Sequence, residues 1–233
     1  MATRLYLPST AETPGISPTP STDWEDTSAY FRFVLRTTKR LTATTDIDFP
    51  NDGDATSKDI LFALGVAKLT AGQTVTGGQA IKMQIRGRQF LADNNMFSAL
   101  GIRVMAGDAT TVRKVVLAVT RDDVELSAAN IPNRSFTATS AATNYTTVTD
   151  DYLEITVGTG GDPAVGNSHN TRLRFGDDDA SDLPEDDTTG GGDTTDPWVE
   201  LADTLTFVYP GGSRKVGQGS RIASNKITGL KVA

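Results

Sequence analysis

The sequence contains no cysteine and only one histidine, His169, among its 233 residues. These absences exclude a disulfide framework, a thiol nucleophile and any metal site built from several histidines or cysteines. Apolar residues make up only 37% of the chain, and no run of about 18 apolar residues exists, so no membrane partner is predicted. The N-terminus lacks the apolar stretch of a secretory signal, which predicts synthesis and first use in a cytoplasm.

Charge is unevenly distributed along the chain. The formal net charge of −7 predicts that nucleic acid is not a partner. Residues 176–203 contain eleven carboxylates and no lysine or arginine, whereas residues 210–233 contain five basic residues and no acidic one. This asymmetry has two interpretations: a solubilising loop followed by a disordered tail, or a tail that docks on a partner or on a neighbouring copy.

Apolar and polar residues alternate in many short segments, which is the period of half-buried β-strands. Leu153, Ile155 and Val157 share one face of such a segment, and Phe31, Phe33 and Leu35 share another. Turn signals recur about every ten residues, and no helical period is sustained. The pattern predicts nine to eleven strands between residues 28 and 209, in an all-β fold with one antiparallel, jelly-roll-like β-sandwich.

Three local predictions follow from the same alternation. The segment from Lys58 to Lys68 is predicted to be a buried strand in which Ile60, Phe62, Leu64 and Val66 face the core. Residues 97–105 and 111–120 are predicted to form a hairpin, with Val115, Leu117 and Val119 facing inward. The polar residues 121–123 are predicted to form a turn.

The chain ends predict a three-part organisation. Residues 1–28 contain four prolines, which favour an extended arm over a helix or a central strand. This arm also carries Leu5, Tyr6, Leu7 and Trp24, apolar side chains that suggest that it lies along another surface. Residues 29–209 form the predicted sandwich, and residues 210–233 form a basic, extended C-terminal arm. Deleting residues 1–24 is accordingly expected to leave the sandwich folded.

The sequence offers little catalytic chemistry. His169 is predicted to be an exposed loop residue, because no nucleophile elbow or suitably spaced partner accompanies it. The acidic segment Asp177–Asp187 has two interpretations, a solvated loop or a structural calcium site, and its spacing does not match an EF-hand. No other cofactor is predicted. A carboxylate pair beside sugar-stacking aromatic residues is not evident, so we predict that the chain is not an enzyme.

Several motifs carry a resemblance to a known group of proteins: residues 1–9 (MATRLYLPS), 23–28 (DWEDTS), the strand and turn of 151–163, 175–184 (FGDDDASDLP) and 197–201 (PWVEL). With them the chain resembles β-sandwich structural proteins of tailed bacteriophages, over most of residues 1–209. The motifs are structural rather than catalytic. The resemblance implies a virion component that is assembled in the host cytoplasm.

The sequence therefore predicts a non-enzymatic virion protein, and a capsid decoration or cement protein fits best. Its expected partners are the major capsid protein or another virion protein, and other copies of itself. The predicted partner contacts are Leu5, Tyr6, Leu7 and Trp24 in the N-terminal arm, and Arg214, Lys215, Arg221, Ile222, Lys226, Ile227 and Leu230 in the C-terminal arm. The alternative is a tail-associated or surface module that binds a carbohydrate or receptor, which would need an aromatic cluster in a concave face.

Overall fold

A computed structural model describes residues 2–49, 52–164, 166–188 and 195–209. The described ranges contain one 3₁₀ turn, at Ala92–Asn94, and fourteen strands. The strands are β1 (Thr3–Tyr6), β2 (Phe31–Val34), β3 (Thr45–Phe49), β4 (Lys58–Leu69), β5 (Thr74–Val75), β6 (Ala80–Gln89), β7 (Met96–Ala106), β8 (Val112–Glu125), β9 (Asn133–Thr139), β10 (Tyr145–Thr146), β11 (Asp151–Gly161), β12 (Thr171–Phe175), β13 (Trp198–Leu201) and β14 (Phe207–Val208).

Two six-stranded sheets and one small two-stranded sheet contain these strands. Sheet A follows the order β1-β13-β6-β12-β3, with β9 on the other edge of β6. Sheet B follows the order β14-β4-β11-β7-β8, and β2 pairs with β4 beside β14. The two-stranded sheet pairs β5 with β10. The named strands pair antiparallel except for β2 with β4. The prediction of an all-β antiparallel sandwich is thus confirmed, with one parallel pair.

The main core lies between the inner faces of the two sheets. Sheet B contributes alternate residues of β11, including Leu153, Ile155 and Val157, each fully buried. Sheet A contributes Ile81, Met83 and Ile85 from β6, as the alternation predicts. Residues on opposite faces of a strand alternate, so each strand must place its other set of side chains on an outer face.

A β-bulge in β4 changes which residues face the main core. The register between β4 and β11 shifts at Val157 and Gly158, so that Val157 opposes Ala63 and Gly158 opposes Leu61. Ile60 and Phe62 belong to the main core as predicted, but Leu64 belongs to a second buried cluster on the outer face of sheet B. Val66 lies in that second cluster too. The inward orientation predicted for these two residues is therefore wrong, because an extra residue in a strand moves every later side chain to the other face.

The hairpin of β7 and β8 is confirmed, but its register is irregular. Val115 is 43% exposed, whereas Val116 and Leu117 are buried in the core. Residues 121–123, predicted to be a turn, continue β8 through a bulge, because Ala99 opposes Arg121 while Phe97 opposes Glu125. Bulges of this kind keep a long edge strand twisted and limit further pairing. In the described part of the chain, no helix has the length and apolar character needed to cross a membrane.

Candidate functional site

The N-terminal segment packs on its own sandwich. Strand β1 pairs with β13 in sheet A, and residues 11–30, here called the strap, cross the outer face of sheet B. Trp24 in the strap is only 3% exposed. It forms the second buried cluster with Leu61, Leu64, Val66 and Ala99, and Ile16, Tyr30, Val119 and Tyr152 pack against it. An added Cβ at Gly158 would lie 1.9 Å from the Ile60 carbonyl oxygen and 2.8 Å from the Trp24 ring, so both the neighbouring strand and the indole require glycine here.

The N-terminal residues that were predicted to contact a partner make contacts within their own chain instead. Leu5 and Leu7 are fully buried in the main core, and the Tyr6 hydroxyl donates a hydrogen bond to Asp182 at 3.1 Å. A contact of Leu5, Leu7 or Trp24 with a partner would require these side chains to leave the sandwich. Deleting residues 1–24 would remove β1 and the centre of the second cluster, so the expectation that the sandwich survives this deletion is revised.

The predicted C-terminal contact residues lie outside the described residues. They are Arg214, Lys215, Arg221, Ile222, Lys226, Ile227 and Leu230. The described chain stops at Tyr209, directly after β14, on the β4 edge of sheet B.

A buried ion pair holds the strap against sheet B. Arg103 donates to the carboxylate of Glu154 from Nε and Nη2, both at 2.9 Å, and Nη2 also donates to the Thr19 carbonyl oxygen at 2.8 Å. The Glu154 side chain is 1% exposed, and burial raises the pKa of this carboxyl even though Arg103 opposes the shift. The guanidinium therefore links a charge on the sheet to the main chain of the strap.

A pocket of about 240 Å³ opens where the strap meets the end of the described chain. Strands β4 and β11 supply its floor and one wall, the strap supplies Gly15, and the residues around β14 supply the opposite wall. Its lining residues are Gly15, Val34, Val66, Ala67, Lys68, Tyr152, Val208 and Tyr209. The lining is largely apolar, with two tyrosine side chains and one ammonium group. We call it the tyrosine pocket.

Cations and acids sit at the edges of the tyrosine pocket. The Lys68 ammonium pairs with Asp150, whose side chain is 61% exposed, and lies 5.8 Å from the centre of the Tyr152 ring. The guanidinium of Arg36 lies 5.4 Å from the centre of the Tyr209 ring. A ring beside a cation is held electrostatically as well as by packing. Each of the two tyrosine rings of the pocket thus has a cation beside it.

The acidic segment Asp177–Asp187 folds over the outer face of sheet A, and we call it the acidic cover. Asp182 accepts from Arg4 at 2.9 Å and pairs with Lys39 at 3.0 Å. Burial opposes ionisation, but these cations lower the pKa of Asp182. Leu183 is buried, and its carbonyl oxygen accepts a 2.8 Å hydrogen bond from the Trp198 indole. The acidic cover is thus packed against the sandwich of its own chain.

The interpretation of the acidic segment as a calcium site finds no geometric support in the described ranges. No group of three or more acidic or histidine side chains there is arranged to hold a metal ion. Asp177 instead accepts from the Arg40 and Thr42 amides at 2.7 and 2.8 Å, and Asp182 contacts cations. These carboxylate oxygens already accept hydrogen bonds from N–H groups or pair with cations, which takes the place of coordination to a metal ion.

His169 is fully buried, and the prediction of an exposed residue is wrong. Its Nδ1 lies 3.0 Å from Asp52, and its amide donates to the same carboxylate at 3.3 Å. Burial raises the pKa of Asp52, but hydrogen bonds from Asp54, Lys58 and His169 outweigh it and lower the value to about 2. Among the described residues, Nε2 has no hydrogen-bond partner and no hydroxyl contacts it. The histidine therefore joins two loops.

Sequence reasoning missed the tyrosine pocket. Tyr152 was visible as an outward residue of β11, but its neighbours Lys68 and Tyr209 come from segments 84 and 57 residues away in number. Only the pairing of β4 with both β11 and β14 brings them together. In the sequence, the one sign of the pocket was a tyrosine, Tyr152, on the outward face of β11.

Neither a family model nor a curated protein sequence matches the chain. Two crystal structures of a CocE/NonD family hydrolase from Staphylococcus aureus superpose with a TM-score of 0.44 at 10% and 9% identity, over 86% of this chain. The chain spans only 36% of the hydrolase chain. A C-terminal domain of EclA, described as a sugar-binding protein, superposes with a TM-score of 0.23 at 10% identity, over 57% of this chain and 75% of that one. Similarities this remote carry no argument about function.

Proposed function

We propose that the chain is a non-enzymatic structural protein of a phage particle, and specifically a decoration or cement protein that binds the capsid lattice. The resemblance of its motifs to phage β-sandwich proteins supports the location. In this proposal the C-terminal segment, residues 210–233, makes the attachment. The N-terminal segment serves the sandwich itself, since its apolar side chains are buried within the chain.

The separation of charge between the two parts of the chain is the observation that carries this proposal. Residues 210–233 contain five basic residues and no acid, so residues 1–209 carry a formal charge of −12. The same short segment contains Ile222, Ile227 and Leu230. A basic segment with apolar side chains suits attachment to an acidic surface with hydrophobic pockets, and repetition on a lattice strengthens weak contacts.

Particle incorporation tests the proposal. The variant lacking residues 210–233 retains every described strand, so we expect it to fold with unchanged circular dichroism but to be lost from purified particles. Full-length protein with Arg214, Lys215, Arg221 and Lys226 all changed to glutamine is the matched variant that keeps the apolar residues. Its attachment should weaken, and become insensitive to salt, because exposed charge pairs are screened. Normal incorporation of the truncated protein would exclude the proposed attachment.

The second candidate function is carbohydrate or receptor binding, and the tyrosine pocket favours it. Two tyrosine rings at the walls of a concave site offer the apolar area on which a sugar ring can stack. The pocket volume suits a single sugar ring better than a long chain.

A glycan array separates the two candidates. Carbohydrate binding predicts a specific signal that Tyr152→Ala abolishes, while Tyr6→Ala, which changes a tyrosine on sheet A, leaves it unchanged. An array without any specific signal would leave the lattice proposal as the sole candidate.

A further inference from the structure

The tyrosine pocket lies at the root of the C-terminal segment. Tyr209, the last described residue, forms one of its walls, and Val208 beside it is 50% exposed. The floor residues Val66 and Ala67 are almost fully buried, and the strap closes the far side at Gly15. An apolar concavity of this size matches one or two aliphatic side chains. The next residues of the chain start at its rim.

The C-terminal segment has the length needed to return to this pocket. Twelve residues separate Tyr209 from Ile222, and fully extended they span about 40 Å. A loop of this size closes at modest entropic cost, and that cost grows only slowly for the later residues Ile227 and Leu230. Tethering also gives the segment a high effective concentration at its own pocket, which a second copy in dilute solution does not match.

Charge favours the same contact. The five basic residues of the segment leave a formal charge of −12 on the rest of the chain. At the pocket itself Asp150 is already paired with Lys68, and Arg36 lies beside Tyr209. The attraction therefore comes from the chain as a whole, and the contact at the pocket is apolar.

We propose that, in the free protein, the C-terminal segment folds back and places an aliphatic side chain of residues 222–230 in the tyrosine pocket of its own chain. The pocket then stores the apolar residues Ile222, Ile227 and Leu230 until a binding partner competes for them. This goes beyond the proposed attachment to a lattice, because it concerns the unassembled molecule.

The absence of cysteine from the chain makes disulfide cross-linking a direct test. Val208→Cys is combined in the full-length protein with Ile222→Cys, Ile227→Cys or Leu230→Cys, one at a time, under mild oxidation. The matched control keeps the same two cysteines and the same tether but adds Tyr152→Ala, which removes one wall of the tyrosine pocket. We expect at least one pair to form an intramolecular disulfide about tenfold faster when the pocket is intact than in its control.

A second measurement does not depend on engineered thiols. Trypsin cleaves after Arg221 and Lys226, and docking should slow this cleavage. Val208→Asn removes an aliphatic side chain from the pocket rim without adding a charge and should restore fast cleavage, whereas Val115→Asn should not.

Three results would overturn the proposal. Equal cross-linking rates with and without Tyr152→Ala would mean that the segment does not occupy the pocket. Disulfide-linked dimers whose yield rises with protein concentration would identify a neighbouring copy as the occupant. Saturable binding of a sugar in the pocket of the full-length protein, with cleavage at Arg221 unaffected, would assign the pocket to a carbohydrate. Each outcome is distinct from loss of particle attachment, which is measured on assembled particles.

Discussion

The two sheets of the sandwich are both covered on their outer faces, but by different kinds of contact. The strap crosses sheet B with an indole in an apolar cluster and one buried ion pair. The acidic cover crosses sheet A mainly through hydrogen bonds and ion pairs to Arg4, Lys39 and Lys82. Burial of apolar area is largely insensitive to salt, whereas partly exposed ion pairs are screened. The outer faces of the two sheets are thus covered by contacts that should respond differently to salt.

Truncating the two tryptophans should give the largest effects and should distinguish the two covers. Trp24→Ala is expected to lower the free energy of unfolding by about 3 to 4 kcal/mol, because it empties the centre of the second cluster. Trp24→Phe should cost less than Trp198→Phe, since the Trp24 indole N–H has no partner among the described residues while that of Trp198 donates to Leu183. Urea unfolding of the three variants measures this. Equal losses for both phenylalanine variants would contradict the comparison.

Breaking the ion pair beneath the strap should have the next largest effect. Arg103→Met leaves Glu154 buried without its cation, and is expected to destabilise the protein by about 3 kcal/mol at pH 7. Burial holds the pKa of Glu154 above its ordinary value, so the loss should shrink as the pH falls and the carboxyl becomes protonated. The double variant Arg103→Met with Glu154→Leu should recover most of the stability. Denaturant curves at pH 5 and pH 7 would reveal both effects.

The acidic cover should respond to pH in a more acidic range than the ion pair beneath the strap, because the pKa of Asp182 is lowered whereas that of Glu154 is raised. Asp182→Asn removes the acceptor shared by Arg4, Lys39 and Tyr6, and is expected to cost about 1 to 2 kcal/mol at pH 7. Because the pKa of Asp182 is lowered in the folded protein, the wild type gains this stability above the ordinary value of 3.8 and loses it as the pH falls below that value. Asp178→Asn is the control, since Asp178 is exposed and makes only one long contact. The difference between the variants should disappear in acid.

The smallest expected effect concerns the rim of the cover. Lys82 and Glu185 form an exposed ion pair, so Lys82→Met should change stability by less than about 0.5 kcal/mol. Hydrogen exchange followed by mass spectrometry gives a finer measurement. We expect 1 M salt to speed exchange in residues 177–187 more than in residues 11–30. A larger effect of salt on exchange in the strap than in the acidic cover would contradict the proposed difference between the two covers.

Much of the sandwich could be predicted from alternation, and the failures have identifiable physical causes. Leu153, Ile155 and Val157 face the core as predicted, because β11 runs without a bulge against β7. Leu64 was misassigned because a bulge leaves no mark in the hydrophobic pattern when both faces of the strand are buried. For Trp24, an apolar side chain in a proline-rich segment indicated contact with a surface, but not that this surface belongs to the same chain. The tyrosine pocket depends on long-range pairing, which local pattern does not encode.

The pairing of β1 with β13 has a consequence for how the chain is made. The hydroxyl of Thr3 donates to the carbonyl oxygen of Asp203, 200 residues further along the sequence, and accepts from the amide of Leu205. A ribosome must therefore release almost the entire described chain before the first strand can find its place. Until then Leu5 and Leu7 have no complete core to enter, and closure must wait for a contact of high sequence separation, which slows folding. Strand β1 thus leaves the ribosome before β13 but takes its place in the sheet only after it.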